Sequence, residues 1–351
     1  MALFSIKNIR ISGVAACVPK HEESNYDYNW ISETERKMLV KTIGIEKRRI
    51  ASEKTTTADM CYEAAVKLLE ELNWNKNDIE ALVFVSQSPD YFLPASSVLL
   101  QDRLKLPKTT LAFDVNLGCS GYAYGLSVIS GLMSSTGLKK GLLLAGDKST
   151  SSLNPKDKSS YPLFGDAGTA TAIEYDTYSS KMDFNLQSDG SGHQAIIIPH
   201  GGMRNPVTEE SYQEEEIEKG IVRHKRNLAL DGLEVFNFSL REVAPNIKKL
   251  YEYNSTSNDD YDYFLFHQAN LLMNESIRKK LKIEPEKVLY TLKNFGNTSS
   301  ASIPLTMVSE INTQLKTEPL SLLLCGFGVG LSWGSVALKT NKIACPQIIE
   351  I

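Results

Sequence analysis

DVNLGCSGYAYGL (residues 114–126) joins an apolar run to a helical one, with a cysteine at the junction. The run LAFDVNL (111–117) is short and continuously apolar, which is typical of a strand buried on both faces. The turn Gly118–Cys119–Ser120 follows, and its glycine allows a sharp bend and the close approach of another group. The stretch therefore predicts a strand, a tight turn and a helix, with Cys119 at the helix's first turn.

Further elements extend outward from this turn in the first half of the chain. They are a helical stretch from Thr57 to Leu72, the strand ALVFVSQ (81–87), a helix over SSVLLQDRLKL (96–106), a helix through GYAYGLSVISGLM and the strand GLLLAGD (141–147). Alternation of helices with such apolar strands indicates crossover connections and predicts mainly parallel sheets.

The second half of the chain repeats this order. Its predicted elements are a helix from Leu233 to Leu250, the strand YFLFHQ (263–268), a helix over NESIRKKLKI (274–283), the strand VLYTLKN (288–294), the turn Gly296–Asn297–Thr298, a helix through SASIPLTMVSEI and the strand SLLLCGF (321–327). Cys119 and Asn297 thus occupy matching turns. We infer a duplicated αβαβα layered sandwich, with a functional site where strand ends and helix N-termini of both halves converge.

The predicted halves are residues 1–178, which carry Cys119, and residues 179–351, which carry His267 and Asn297. Residues 200–232 fit neither half and contain the acidic run Glu214–Glu216 followed by basic residues. A solvated excursion is the favoured interpretation, because charge runs usually face water. The alternative is a cap over a substrate entrance.

Composition excludes several classes of protein. The chain has 351 residues and a net charge of −4, which argues against a nucleic-acid partner. It has no apolar run long enough to cross a membrane and no signal-peptide pattern at its N-terminus. Its five cysteines are widely spaced without a CxxC pair, which favours a reduced, cytoplasmic protein. His193 and His200 have no carboxylate or cysteine at ligand spacing, so we expect no metal.

Cys119 is the candidate nucleophile. The positive N-terminal end of a helix favours the thiolate form of a cysteine placed there. The other four cysteines are more typical of small buried hydrophobic residues, although Cys325 borders a glycine-rich loop.

His267 and Asn297 are the candidate partners of that cysteine. His267 ends the strand in FLFHQAN, and Asn297 lies in NFGNTSSAS. Each alone is an ordinary core or turn residue. Together they fall in the crevice that the duplication predicts, opposite Cys119. The loop GFGVGLSWG (326–334) can direct backbone N–H groups to the same point.

Two enzyme classes combine cysteine, histidine and asparagine. Papain-like proteases are disfavoured, since they place a C-G-[SA]-C-[WY] motif near the mature N-terminus and lack such a duplication. The other class performs decarboxylative condensation.

The chain resembles ketoacyl-acyl-carrier-protein synthase III, the condensing enzyme of the thiolase superfamily that initiates bacterial fatty acid synthesis. The resemblance covers nearly the whole chain. It rests on the motifs GIEKRR (44–49), SQSPDYFLP (86–94), DVNLGCSGYAYGL (114–126), FGDAGTA (164–170), SDGSG (188–192), HQAN (267–270), FGNTSSASIP (295–304) and GFGVGLSWG (326–334). The Cys–His–Asn set separates this branch from thiolases, elongating synthases and hydroxymethylglutaryl-CoA synthases.

The resemblance implies an acyltransferase with a two-stage reaction and no cofactor beyond the CoA thioester substrate. Cys119 takes an acyl group from acyl-CoA, and backbone N–H groups of Cys119 and Val329 form the oxyanion hole. His267 and Asn297 stabilise the enolate formed from a malonyl thioester, which acyl carrier protein delivers.

The resemblance also implies roles outside these residues. Phe327 shields the site from water. Leu93 reaches across a homodimer interface to line the partner's acyl pocket.

Two departures from the family pattern stand out. Leu272 follows the HQAN motif where an arginine usually helps to dock the carrier protein, and Met38 replaces the tryptophan that stacks on the CoA adenine. Arg278, Lys279 and Lys280 could bind an acidic carrier helix instead, or form an ordinary exposed face.

Three alternatives to the main function remain: a paralogue with an unusual starter, a non-decarboxylating acyltransferase to an alcohol or amine, and a non-catalytic acyl-binding subunit. The intact Cys–His–Asn set argues against the non-catalytic subunit.

Overall fold

The computed structural model describes residues 2–351. Its α-helices are α1 (Glu33–Ile43), α2 (Thr57–Glu71), α3 (Ser96–Arg103), α4 (Gly121–Thr136), α5 (Gly232–Asn254), α6 (Leu271–Leu281), α7 (Leu292–Phe295), α8 (Ser302–Glu310) and α9 (Asn312–Thr317). Its strands are β1 (Ala2–Ile6), β2 (Ile9–Val18), β3 (Glu22–Ser24), β4 (Lys47–Arg49), β5 (Ala81–Val85), β6 (Leu111–Val115), β7 (Lys140–Asp147), β8 (Ala167–Tyr175), β9 (Met182–Ser188), β10 (Ile196–Ile197), β11 (Glu215–Glu218), β12 (Ile221–Arg223), β13 (Ala229–Leu230), β14 (Tyr263–Phe266), β15 (Leu320–Gly328), β16 (Ser332–Thr340) and β17 (Ile349–Glu350).

Two large sheets carry the fold. The first has the order β17-β2-β8-β7-β5-β6, and the second has the order β1-β9-β16-β15-β14. The run β2-β8-β7-β5 in the first sheet matches β9-β16-β15-β14 in the second, with the same parallel and antiparallel pairings. The two halves of the chain therefore share one topology.

The chain passes from one sheet to the other between β8 and β9, where the predicted boundary at residues 178 and 179 falls. Two terminal strands cross that division. β1 pairs with β9 in the second sheet, and β17 pairs with β2 in the first. Each half thus completes its sheet with a strand from the other end of the chain.

Helices form three layers around the two sheets. α2 and α3 pack on the outer face of the first sheet, α4 and α8 lie between the sheets, and α5 and α6 cover the second. Both faces of the central strands β5, β7 and β15 are therefore largely buried, which explains their continuously apolar sequences. The strand β6, predicted to be buried on both faces, is instead an edge strand whose residues are exposed or only partly buried. The order helix, sheet, helix, sheet, helix is the predicted αβαβα sandwich.

Side chains from the predicted elements fix the ends of helices. The Asp114 carboxylate on β6 accepts hydrogen bonds from the N–H groups of Ser96 and Ser97 (2.8 Å each), which caps α3. Thr56 and Asp59 form a reciprocal capping box at the start of α2. These bonds satisfy N–H groups that a helix leaves without partners.

Two sequence predictions about strands are wrong. The sheets are mixed and not mainly parallel, since β2, β8, β9 and β16 pair antiparallel to their neighbours in the sheet cores. The run VLYTLKN forms no strand: Val288 makes one isolated bridge to Phe264, and one helical turn begins at Leu292. This apolar run is buried by packing, and hydrophobicity alone cannot distinguish a buried turn from a buried strand.

The excursion at residues 200–232 has an exposed charged part and a part that lines the cavity. Its acidic part, Glu214–Glu216, is exposed and partly forms the hairpin strand β11. Its two ends, including His200 and Arg226, line the large cavity described below. The excursion is therefore a charged surface hairpin whose base contributes to the cavity wall.

Candidate active site

The predicted site residues converge on one cavity of about 730 Å³. Cys119 follows β6, His267 follows β14, Asn297 follows α7, and Phe327 and Val329 lie at the end of β15 and in the turn after it. The two halves contribute to the same cavity because their matching turns face each other between the sheets. Leu93 does not line this cavity: its side chain is 81% exposed.

Cys119 is nearly buried at the start of α4, with 8% of its surface exposed. Burial raises the pKa of its thiol to about 11, and a hydrogen bond with the Val329 backbone is the main opposing effect. The backbone N–H of Cys119 and the Ser299 hydroxyl also favour the thiolate. Burial therefore opposes the effect expected from the helix N-terminus and outweighs the hydrogen bonds that stabilise the negative charge.

The glycine-rich loop after β15 packs its backbone directly against the nucleophile. A Cβ atom at Gly328 would lie 2.6 Å from the Cys119 Cβ and 2.7 Å from its Sγ. Gly328 also has a φ of +153°, which side-chain-bearing residues rarely adopt. This position requires glycine, and the close approach brings the Val329 backbone to the sulfur.

His267 is 1% exposed and sits beneath the ring of Phe327, with ring centroids 5.6 Å apart in an edge-to-face arrangement. Burial lowers the pKa of its imidazole to about 3, so the ring is neutral at neutral pH. Its Nδ1 lies 2.9 Å from the Ser302 hydroxyl oxygen. When Ser302 donates to Nδ1, the proton of the neutral ring resides on Nε2. His267 can then act as a hydrogen-bond donor.

Asn297 is held by its backbone and by one side-chain oxygen. Its N–H donates to the Leu163 carbonyl (2.8 Å), and its carbonyl accepts from the Gly165 N–H (3.0 Å). Its Oδ1 accepts a hydrogen bond from the Ser299 N–H at 2.9 Å. Its Nδ2 has no hydrogen-bond partner among residues 2–351, so the amide N–H₂ group is available as a donor.

Ser299 and Ser302 were not identified from the sequence as parts of the site. Ser299 is buried with a φ of 50° and contacts both Asn297 and Cys119. Ser302 begins α8, and its hydroxyl hydrogen-bonds to His267. The available signal was the polar run TSSAS between Asn297 and an apolar helix, since buried serines need partners.

The three predicted carrier-docking residues all lie on α6 but differ in whether other residues already bind their charged groups. Arg278 makes two 2.8 Å hydrogen bonds with Glu275 and a third with the Ile283 carbonyl. The Lys280 ammonium donates to the Leu240 carbonyl at 2.6 Å. Lys279 is exposed and makes no such bond within the described chain. Lys279 is therefore the cation on this helix that is free to meet an acidic surface.

Residues 2–351 contain neither a metal-binding cluster nor a membrane-spanning helix. No group of three or more His, Cys, Asp or Glu side chains is arranged to hold a metal ion. No helix in this range has the length and hydropathy needed to span a bilayer.

Known proteins match this chain along its whole length. Sequence models of 3-oxoacyl-[acyl-carrier-protein] synthase III match residues 113–190, and those of its C-terminal region match residues 252–340. A putative 3-oxoacyl-[acyl-carrier-protein] synthase 3 of Campylobacter jejuni is 34% identical, over 97% of this chain and 96% of the relative. The chain belongs to the 3-oxoacyl-[acyl-carrier-protein] synthase III family. It is thus an acyltransferase of the condensing-enzyme class.

Solved structures agree with this family assignment. A 3-oxoacyl-(acyl-carrier protein) synthase from Burkholderia xenovorans LB400 is 38% identical, covers 99% of both chains and superposes with a TM-score of 0.94. A second 3-oxoacyl-(acyl-carrier-protein) synthase III is 34% identical, over 94% of this chain and 99% of that one, with a TM-score of 0.90. The predicted family, thiolase-like fold and enzyme class are confirmed.

Proposed function

We propose that this synthase III family member joins an acyl group, carried on Cys119, to a malonyl thioester by decarboxylative Claisen condensation. The observation that carries the proposal is the neutral imidazole of His267 and the free amide of Asn297 in the cavity that holds the nucleophile. The Asn297 oxygen is occupied by the Ser299 N–H at 2.9 Å, which leaves its amide N–H₂ free. His267 is neutral because burial lowers its pKa to about 3.

In the first half-reaction, the Cys119 sulfur attacks the carbonyl carbon of an acyl thioester. The bond from that carbon to the donor's sulfur breaks, and the thiol proton leaves with the departing thiolate. Backbone N–H groups of Cys119 and Val329 are suited to receive the negative carbonyl oxygen, since both already hydrogen-bond the Cys119 sulfur. Preorganised backbone donors of this kind cost no rearrangement during the reaction.

In the second half-reaction, a malonyl thioester loses carbon dioxide and becomes an enolate. His267 Nε2–H and Asn297 Nδ2–H donate to the enolate oxygen. Both donors are uncharged and buried, so they stabilise the developing charge where water cannot compete. A carboxylate at either position would repel it.

The enolate carbon then attacks the acyl-Cys119 carbonyl. A carbon–carbon bond forms, the thioester to Cys119 breaks, and a 3-ketoacyl thioester is released. The cysteine leaves as a thiolate and takes up one proton, which is favoured because the pKa of the resting thiol is about 11. One proton is consumed for each carbon dioxide released. Phe327, packed on His267, helps to keep water from the acyl-enzyme.

We propose acyl-CoA as the donor, malonyl-acyl carrier protein as the acceptor and a homodimer as the working form. The relatives' names refer to the carrier protein, and Lys279 offers an exposed cation for its acidic surface. Leu93 lies on an exposed loop and would line the partner's pocket. The five unpaired cysteines suit a reducing compartment such as the cytoplasm, and the chemistry requires no metal.

The test incubates the purified protein with a panel of acyl-CoAs and follows its intact mass. Malonyl-acyl carrier protein is then added, and carbon dioxide and the ketoacyl product are measured. We expect an acyl adduct on Cys119 that disappears as carbon dioxide is released in equal amount. Transfer of the acyl group to an alcohol or amine without carbon dioxide would contradict the proposal and support the acyltransferase alternative.

A further inference from the structure

A carboxylate that none of the sequence motifs singled out lies beside the site. Asp147 ends β7, its side chain is 2% exposed, and it lines the cavity shared by Cys119, His267 and Asn297. Burial raises the pKa of its carboxyl, and the opposing groups among the described residues are hydrogen-bond donors and not a cation. A buried carboxylate without a cation is costly, so its retention beside an active cavity calls for a role.

The two carboxylate oxygens of Asp147 bind different halves of the molecule. Oδ1 accepts from the Gln87 N–H (2.7 Å) and the Ser86 hydroxyl (3.2 Å), in the loop after β5. Oδ2 accepts from the Ser300 hydroxyl (2.8 Å) and the Ser300 N–H (3.2 Å), in the turn after Asn297. Backbone N–H groups only donate, so both oxygens act as acceptors, as in an ionised carboxylate. Since both are occupied, Asp147 is not free to remove a proton from substrate.

The hydrogen bonds between Asp147 and Ser300 affect Asn297 through one intervening residue, Ser299. Ser299 precedes Ser300, and its N–H fixes the Asn297 Oδ1 at 2.9 Å. Ser299 holds a φ of 50°, which a residue other than glycine keeps only when its surroundings enforce it. The hydrogen bonds from Ser300 to Asp147, which lies in the opposite half of the chain, help to hold the neighbouring Ser299 in this conformation.

We propose that Asp147 is a positioning residue that holds the Ser299–Ser300 turn from across the two halves and so aims the Asn297 amide at the malonyl thioester. This inference rests on the proposed function of Asn297. It predicts that loss of the Asp147 contacts slows decarboxylation without weakening the binding of the malonyl substrate.

The charge of Asp147 has a second, separable effect. Its negative charge raises the pKa of the Cys119 thiol, in addition to burial. Removal of that charge lowers the pKa and increases the thiolate fraction at any pH below it. Ser300→Ala removes one contact of the turn but leaves the charge in place. The two substitutions therefore distinguish loss of position from loss of charge.

The experiment compares Asp147→Asn and Ser300→Ala with wild type. Asp147→Asn keeps the shape but must turn a donor toward either the Gln87 N–H or the Ser300 N–H, so one side of the bridge is lost. We expect its decarboxylation kcat to fall about tenfold or more, with KM for malonyl-acyl carrier protein within about twofold. Alkylation of Cys119 by iodoacetamide at pH 8 should become about threefold to tenfold faster, because the thiol pKa falls. Ser300→Ala should slow decarboxylation by about threefold and leave the alkylation pH profile unchanged.

Asp183→Asn is the matched control. Asp183 is a buried carboxylate on β9, 5% exposed and outside the cavity, and its replacement should change neither rate. Wild-type decarboxylation by Asp147→Asn would overturn the inference, whatever its alkylation profile. So would a crystal structure of Asp147→Asn that keeps the Ser299–Asn297 hydrogen bond and the turn unmoved. That crystal structure judges the position of the turn even if wild type fails to condense, which would refute the proposed function instead.

Discussion

The reactivity of single residues at the site depends on burial more than on sequence position. Cys119 resembles a helix-activated cysteine in sequence, yet burial raises the pKa of its thiol to about 11. Only about one thiol in ten thousand is then ionised at pH 7 when the pKa is about 11. The other cysteines are less reactive still: burial raises the pKa of Cys17 and Cys345 to about 12, and both are fully buried.

This ordering predicts which cysteine iodoacetamide labels. We expect Cys119 to react fastest, because its thiol has the lowest pKa of the five cysteines and faces the cavity. Its rate should rise about tenfold for each pH unit between pH 7 and pH 10, since the thiolate is the reacting form. Peptide mapping by mass spectrometry measures both the site and the rate. Faster labelling of Cys17, Cys61 or Cys345, or a rate independent of pH, would contradict this account of Cys119.

Sequence patterns identified Cys119, His267 and Asn297 as candidates because each lies at a strand or helix boundary of a duplicated unit. They could not identify Ser299, Ser302 or Asp147, since these act through hydrogen bonds between distant segments. Asp147 and Ser300, for example, are 153 residues apart in the chain. No periodicity or spacing rule encodes such a contact.

Among the elements, the turn between β15 and β16 sets the tightest constraint on the site. Gly328→Ala should abolish acylation of Cys119 by CoA thioesters, because the new Cβ would fall 2.7 Å from the sulfur. The substitution lies at a strand end, so we expect a folded protein with unchanged far-ultraviolet circular dichroism. Gly190→Ala is the control, since a Cβ there meets nothing within 4 Å. Equal acylation of both variants, by intact mass, would show that the close approach is not required.

Helix α6 is the element that we expect to meet the carrier protein. Lys279→Glu should raise KM for malonyl-acyl carrier protein by about threefold and reduce its salt dependence, because an exposed charge at a rim mainly affects encounter. KM for malonyl-CoA should not change. Lys342→Glu, beyond the end of β16 farthest from the site, is the charge-matched control. If both variants behave alike, docking uses a different surface.

The elements also show where hydrophobic patterns fail. The strands β5, β6 and β7 are predicted by the sequence because each is an apolar run between polar turns. The run at residues 288–294 has the same composition but folds as turns against β14, where a single bridge at Val288 remains. Val288, Thr291 and Leu292 in this run are buried by tertiary packing, which a one-dimensional pattern does not record.

At the scale of the whole molecule, the first sheet ends on an apolar edge. β6 is the edge strand, its residues are only partly buried, and Leu111 is 43% exposed. The loop between β5 and α3 exposes Phe92 and Leu93, by 92% and 81%. Such an edge is a liability for a lone chain, and pairing with a second copy removes it.

We therefore predict a homodimer that buries well over about 2,000 Å². Leu93 of one chain should lie near Cys119 of the other, so Leu93→Trp should shorten the longest acyl-CoA accepted without preventing dimerisation. Sedimentation equilibrium and acyl-adduct mass spectrometry measure the two properties. A monomer at micromolar concentration would refute the dimer. A dimer whose acyl preference ignores Leu93→Trp would remove Leu93 from the pocket.

His267 and Asn297 serve the decarboxylation, whereas Cys119 and backbone N–H groups serve the acylation, and this division can be measured directly. The decisive measurement compares His267→Ala and Asn297→Ala with wild type in separate assays of Cys119 acylation and of carbon dioxide release from malonyl-acyl carrier protein. We predict that carbon dioxide release falls about 100-fold or more in both variants, while acylation falls far less because its oxyanion hole is backbone. Wild-type carbon dioxide release in either variant, or an equal loss of both half-reactions, would contradict the assignment of His267 and Asn297 to decarboxylation.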